Sequence, residues 1–139
     1  MPPALVDTDV LSLFLRGEPA VVKRVGDYLS EHATLNLSII TYYEILSGLA
    51  YRDASKQRER FLELVRYNTV LPLTMRACDI AADLYARLRK QGRPVDDSDL
   101  LIAGIALEHD LAIATHNVSH FERIAELTVD DWTRGPTAG

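Results

Sequence analysis

The sequence predicts an α/β fold in which a central, mostly parallel sheet of four to five strands has helices on both faces. Two observations lead to this prediction. Short apolar runs alternate with longer segments of helical periodicity, as in consecutive β–α units. The 139 residues, of which 47% are hydrophobic and 25% charged, also have the size and composition of one globular domain with a substantial core.

The first half of the chain supplies two of the predicted strands. Residues 4–6 form a short apolar run that ends at Asp7 and predicts a buried strand, with a helix starting at residue 8. Residues 34–39 alternate between polar and apolar side chains and predict the second strand. Apolar positions at helical spacing predict three further helices in this half, over residues 20–32, 41–50 and 55–68.

The second half supplies the remaining strands. Residues 70–73 predict an edge strand, because Pro72 cannot donate a hydrogen bond to a neighbouring strand. A long helix over residues 74–91 is expected to stop at Gly92. The other predicted elements are a buried helix over residues 98–109 and two short strands over residues 111–114 and 127–129.

Composition also predicts the compartment and the domain limits. The sequence has no run of about 18 apolar residues and no secretion signal at its start, so we expect a cytoplasmic protein without a membrane span. Cys78 is the single cysteine, which excludes an intramolecular disulfide and is consistent with a reducing compartment. We predict one domain over residues 1–134 and a disordered tail over residues 135–139.

The 15 basic and 20 acidic residues are unevenly distributed. Residues 51–93 carry a net charge of +5, whereas the rest of the chain carries −10. A basic region beside an acidic one can hold phosphate groups next to a cation site, and solvated helix faces are the alternative explanation. The candidate phosphate-binding side chains are Arg52, Lys56, Arg58 and Arg60.

Polar side chains recur where predicted strands end or predicted helices begin. Ligand crevices of parallel sheets lie beyond the carboxyl ends of the strands, so these side chains are candidates for a common site. They are Asp7 and Asp9 in VDTDVLS, Glu44 in TYYEILSGL, Asp96, Asp97 and Asp99 in VDDSDLLIAG, and Thr115 and Asn117 in ATHNVSHF.

Carboxylates that converge in one crevice repel one another unless a cation neutralises them. Their oxygen atoms suit Mg²⁺ or Mn²⁺, which also bind phosphate groups. Each motif has a structural alternative. Asp7, Asp97 or Ser98, and Asn117 could cap helices, and the other aspartates of the third motif could interact favourably with a helix dipole. Glu44, three residues after Thr41, could complete a capping box. His116 and His120 lie four residues apart but lack the glutamate of a zinc-protease helix, which disfavours a zinc site.

The four motifs together resemble a known family. DTDVLS, TYYEILSGL, DLLIAGIA and ATHNVSHF, in this order and at these spacings, are similar to the successive motifs of PIN-domain ribonucleases, and most of all to the VapC toxins of bacterial toxin–antitoxin pairs. LTVDDW is similar to the last strand of that family, so the resemblance covers nearly the whole chain. It implies a three-layer PIN-like fold and an endoribonuclease that depends on Mg²⁺ or Mn²⁺ and inhibits translation.

The resemblance also implies partners and residue roles. A cognate antitoxin would bury its tail in the active-site groove, and a homodimer is expected. The catalytic positions are Asp7, Glu44, Asp99 and Asn117, of which the three acids would hold the metal. Supporting positions around them are Thr115, Asp9, Asp96 and Asp97, and the proposed RNA-binding side chains are Arg52, Lys56, Arg58 and Arg60.

Other functions remain open from the sequence. LVDTD also resembles the motif of haloacid-dehalogenase-type phosphatases, in which Asp7 would be the nucleophile and Asp9 the general acid. A PIN-domain nuclease of RNA processing, without a toxin role, is a second alternative. A catalytically inactive module that binds RNA or a partner is a third.

Overall fold

Five short strands form one sheet in which every neighbouring pair is parallel. The computed structural model describes residues 1–135. The strands are β1 (Ala4–Val6), β2 (Asn36–Ser38), β3 (Thr69–Leu71), β4 (Ala112–Ala114) and β5 (Val129–Asp130). Their order across the sheet is β3-β2-β1-β4-β5, so the predicted α/β class, strand number and edge position of β3 are confirmed. The predicted tail, apart from Gly135, lies outside the described residues.

The order of the strands locates the crevice. The chain adds β2 and β3 on one side of β1 and then returns to add β4 and β5 on the other. Connections therefore leave β1 and β4 in opposite directions, and ligands of open α/β sheets bind at such a point, beyond the carboxyl ends of the strands. Asp7 follows β1, and Thr115 follows β4.

Within the described residues, seven helices cover the two faces of the sheet. They are α1 (Thr8–Leu15), α2 (Pro19–Glu31), α3 (Ile39–Tyr51), α4 (Ser55–Arg66), α5 (Met75–Lys90), α6 (Asp97–Glu108) and α7 (Val118–Phe121). Alternate side chains of β1 point to opposite faces: Ala4 and Val6 join one apolar cluster and Leu5 the other. The first cluster contains buried side chains of α1 to α4, and the second contains those of α5 to α7, which gives three layers.

A close contact between α5 and α6 fixes the position of the acidic start of α6. A Cβ atom at Gly104 would lie only 2.4 Å from the backbone oxygen of Ala77, so the two helices can approach this closely only with glycine at that position. Within residues 1–135, no helix is both long and apolar enough to cross a membrane.

The second and third strands end before the residues at which the sequence predicts their ends. The second strand ends at Ser38 rather than at Ile39, because the Ser38 hydroxyl accepts a 3.0 Å hydrogen bond from the backbone N–H of Thr41 and caps α3. The third strand ends at Leu71, so Pro72 follows it instead of interrupting its hydrogen bonds.

Candidate active site

Asp7 lies at the centre of the crevice and is almost fully buried. Its Oδ1 accepts a 2.8 Å hydrogen bond from the backbone N–H of Thr8, and its Oδ2 accepts one of 2.8 Å from the hydroxyl of Thr115. Burial and, secondly, the Asp9 carboxylate raise the pKa of Asp7 from 3.8 to about 7. Asp7 therefore caps α1, as the structural alternative supposed, but a cap alone does not require a buried carboxylate beside another acid.

Glu44 is joined to Asp7 through Thr8. The Thr8 hydroxyl donates a 2.7 Å hydrogen bond to Oε1 of Glu44 and lies 2.9 Å from the hydroxyl of Thr41. Since Thr8 has one hydroxyl proton, Thr41 is the donor of the second bond. The capping-box explanation of Glu44 is wrong, because α3 begins at Ile39 and Thr41 lies inside it.

Asp99 and Asn117 meet at His120. Oδ2 of Asp99 lies 3.2 Å from Nδ1 of His120, and the side-chain nitrogen of Asn117 lies 2.7 Å from the same atom. Burial raises the pKa of Asp99, and the hydrogen bond with His120 partly opposes that rise. Asn117 precedes α7 but makes no side-chain capping bond, so the capping explanation of its side chain is wrong.

One chain of hydrogen bonds connects the four predicted catalytic residues. The backbone N–H of Asn117 donates a 2.9 Å bond to the Thr115 hydroxyl, which in turn donates to Asp7. Contacts therefore run from Asp99 through His120, Asn117 and Thr115 to Asp7, and from Asp7 through Thr8 to Glu44. Residues that are far apart in sequence thus form one assembly at the ends of β1 and β4.

The remaining acidic residues divide into two groups. Asp9 is part of the assembly, because its Oδ2 accepts a 3.1 Å hydrogen bond from the backbone N–H of His116 in the loop after β4. Asp96 and Asp97 are exposed and make no side-chain hydrogen bond in the described part of the chain. The charge of Asp96 helps to raise the pKa of Asp99, but burial is the larger cause. The structure does not bring Asp97 into the assembly.

The donor set suits a divalent cation. The Asp99 carboxylate also raises the pKa of Asp7, by less than burial and Asp9 do. Asp7, Asp9 and Asp99 are therefore close enough to repel one another. A divalent cation would remove that repulsion. No three histidine, cysteine or acidic side chains among residues 1–135 form a ready cage for a metal. Mg²⁺ does not require one, since it is usually bound by one or two carboxylates and keeps several waters. Asp7 and Asp99, with Glu44 beside them, therefore fit such an ion.

A groove of about 410 Å³ leads away from Thr8 and Glu44 between α1, α3 and α4. Leu15, Ile45 and Leu49 give it an apolar floor. Its basic side chains are Arg16, Arg52 and Arg60, none of which forms an ion pair with another described residue. Of the predicted RNA-binding residues, Arg52 and Arg60 thus line the groove, whereas Lys56 and Arg58 do not.

Sequence reasoning missed two parts of this arrangement. Arg16 lies outside the basic region of residues 51–93, and only the packing of α1 beside α3 brings it to the groove. The sequence relates His120 only to His116, as a disfavoured zinc pair. Its position three residues after Asn117, one helical turn away, was the available signal.

The chain and its fold have known relatives. The family model of the PIN domain matches residues 4–127 of the chain. The chain belongs to the PIN-domain family. The predicted PIN-like fold is thereby confirmed, and the Asp7 crevice lies inside the matched part of the PIN domain.

The PIN-domain proteins that are similar to this chain include VapC ribonucleases. Ribonuclease VapC1 of Haemophilus influenzae (strain R2866) is 32% identical over 132 residues, which are 94% of this chain and 98% of that protein. The tRNA(fMet)-specific endonuclease VapC of Shigella flexneri is 29% identical over 133 residues, or 93% and 97% of the two chains. The structure of VapBC-1 from nontypeable Haemophilus influenzae has a TM-score of 0.83 and 29% identity, covering 94% of this chain and 98% of that one. The predicted resemblance to the VapC toxins is confirmed.

Proposed function

We propose that this protein is a Mg²⁺- or Mn²⁺-dependent endoribonuclease that acts as the toxin of a toxin–antitoxin pair and inhibits translation. The observation that carries the proposal is the chain of hydrogen bonds beyond the carboxyl ends of β1 and β4. It joins Asp99, Asn117, Asp7 and Glu44. The ribonuclease and endonuclease names of its VapC relatives support RNA as the substrate.

Each side chain has a distinct task in this mechanism. Asp7 and Asp99 would bind the cation, and Thr115 and Thr8 fix the two oxygens of Asp7. Glu44 has Oε1 fixed by Thr8, whereas its Oε2 has no hydrogen bond to the rest of residues 1–135, so this oxygen is free to bind the cation or accept a proton. When bound, the ion supplies charge that offsets the scissile phosphate and favours ionisation of the attacking water.

The geometry disfavours the phosphatase alternative. Asp9, the general acid in that mechanism, accepts backbone hydrogen bonds from Val10 and His116 and is held against the loop after β4.

RNA cleavage in the presence and absence of metal tests the proposal. We expect the purified protein to cleave RNA with Mg²⁺ or Mn²⁺, and EDTA to stop the reaction. If water attacks the phosphorus, the products carry 5′-phosphate and 3′-hydroxyl ends. Cleavage that persists in EDTA, or products with a 2′,3′-cyclic phosphate, would contradict the mechanism, because the latter require attack by the ribose hydroxyl.

The proposed protein partner is a cognate antitoxin. The similar VapBC-1 structure supports such a partner. The tail of the antitoxin would lie in the groove beside Glu44 and block the access of RNA to the assembly.

A homodimer is also proposed, and the exposed side chains of Ile39 and Tyr43, one turn apart on α3, are suited to such a contact. The mass of the purified protein by light scattering tests the dimer.

The groove predicts which basic residues bind RNA. Replacing Arg52 and Arg60 together by alanine should weaken RNA binding and reduce the slope of log affinity against log salt by about 1.4, because each phosphate contact on single-stranded RNA contributes about 0.7. Replacing Lys56 and Arg58 together removes the same charge from the same region but no groove side chain. Fluorescence anisotropy with labelled RNA at several salt concentrations compares the two double variants.

The Lys56 and Arg58 double variant is the control that separates RNA binding in the groove from binding to a diffuse basic face. A slope that falls only for the Arg52 and Arg60 pair supports the groove as the RNA path. Equal reductions for both pairs would indicate a diffuse basic face, and no reduction for either would indicate solvated helix faces without a role in binding.

A further inference from the structure

The contacts of His120 are not explained by the proposed roles of the acidic residues. Its side chain is 35% exposed, and its Nδ1 atom lies within hydrogen-bond distance of both Asp99 and Asn117. For each of these two side chains, Nδ1 of His120 is the sole hydrogen-bond partner in the part of the chain that the structure describes.

One nitrogen with one proton serves both neighbours in one of its two arrangements. When Nδ1 carries the proton, it donates to Oδ2 of Asp99 and the amide of Asn117 presents its oxygen. When the proton is on Nε2, Nδ1 accepts from the amide N–H of Asn117 and has no proton to donate to the carboxylate of Asp99. In the first arrangement the position of Nδ1 therefore determines where the carboxylate of Asp99 and the amide of Asn117 lie.

His120 also joins two parts of the fold that carry different portions of the assembly. Asp99 belongs to the first turn of α6, whereas Asn117 lies in the loop after β4 and is linked through Thr115 to Asp7. Without the imidazole, the carboxylate of Asp99 loses its hydrogen-bonded connection to Asp7. Groups that orient metal-binding side chains in this way usually affect metal affinity or activity by about 10- to 100-fold.

We infer that His120 is a positioning residue, which holds the Asp99 carboxylate and the Asn117 amide in the arrangement that binds the cation. This inference rests on the proposed metal-dependent function. It assigns His120 no contact with the cation or RNA.

Three substitutions of His120 separate positioning from general support of the fold. Asparagine places an amide near the position of Nδ1, glutamine places one near Nε2, and alanine removes the group. His120→Asn is expected to retain Mn²⁺ affinity and turnover within about 3-fold, while His120→Ala and His120→Gln lose about 10- to 100-fold in both. His116→Ala is the matched control from the loop just before α7, because the His116 side chain contacts Thr133 and Asp131 instead.

Mn²⁺ affinity is measured by electron paramagnetic resonance, which needs no RNA, together with kcat and KM for RNA and the melting temperature. The expected loss lies in Mn²⁺ affinity and kcat, with KM unchanged. Equal effects of asparagine and glutamine, or losses that follow the melting temperature, would overturn the inference. Unchanged Mn²⁺ affinity in His120→Ala would also overturn it. If the wild type neither binds Mn²⁺ nor cleaves RNA, the proposed function itself fails, and the inference fails with it.

Discussion

Replacing Asp99 with asparagine is expected to abolish most RNA cleavage without destabilising the metal-free protein. Burial raises the pKa of the Asp99 carboxyl, so holding it ionised at neutral pH costs folding free energy, and an amide avoids that cost. The same amide has no charge with which to hold the cation. We expect cleavage in Mg²⁺ to fall by about 100-fold or more, while the melting temperature in EDTA holds or rises.

Asp97→Asn is the matched control for this substitution. Both residues lie in the first turn of α6, so both changes remove a favourable interaction with the helix dipole, worth about 0.3–1 kcal/mol. Asp97 is exposed and outside the assembly, and its variant should be slightly less stable but retain cleavage. An Asp99→Asn protein that behaves like Asp97→Asn, destabilised and active, would show that Asp99 serves only the helix.

The stability of the metal-free protein is expected to fall as the pH rises from about 4 to above 7, owing to Asp7. The folded protein holds the Asp7 proton with a pKa of about 7, against 3.8 for the ordinary carboxyl. Between these values the folded state binds more protons than the unfolded state, so raising the pH favours unfolding. A shift of this size corresponds to at most about 4 kcal/mol.

Asp7→Asn isolates this contribution. Asparagine caps helices as well as aspartate does, and it cannot ionise. In urea unfolding followed by circular dichroism in EDTA, the free energy of unfolding of the variant should exceed that of the wild type above pH 7 and approach it near pH 4. Parallel pH profiles of the two proteins would contradict a buried, proton-retaining Asp7.

The strands and the acidic residues at their ends could be predicted because they depend on local sequence pattern. A buried run such as residues 4–6 is recognisable alone, and the residue after it must lie at the carboxyl edge of the sheet. Boundaries set by a single contact could not be predicted in this way. The start of α3 depends on the Ser38 hydroxyl, which competes with the alternating pattern that extends the strand to Ile39.

Features formed between distant elements were the least predictable. Lys56 and Arg58 share a basic segment with Arg60, but the orientation of α4 turns only Arg60 toward the groove. The role of His120 depends on Asp99, 21 residues earlier, and no local pattern relates the two. Packing of α6 against α5 and of α7 against α6 creates that relation.

The central claim is that Asp7, Glu44 and Asp99 form one metal site, and Mn²⁺ titration of single variants tests it most directly. Asp7→Asn, Glu44→Gln and Asp99→Asn should each weaken Mn²⁺ binding by at least about 10-fold, whereas Asp97→Asn should bind like the wild type. Equal Mn²⁺ affinity in the wild type and all three site variants would contradict the account.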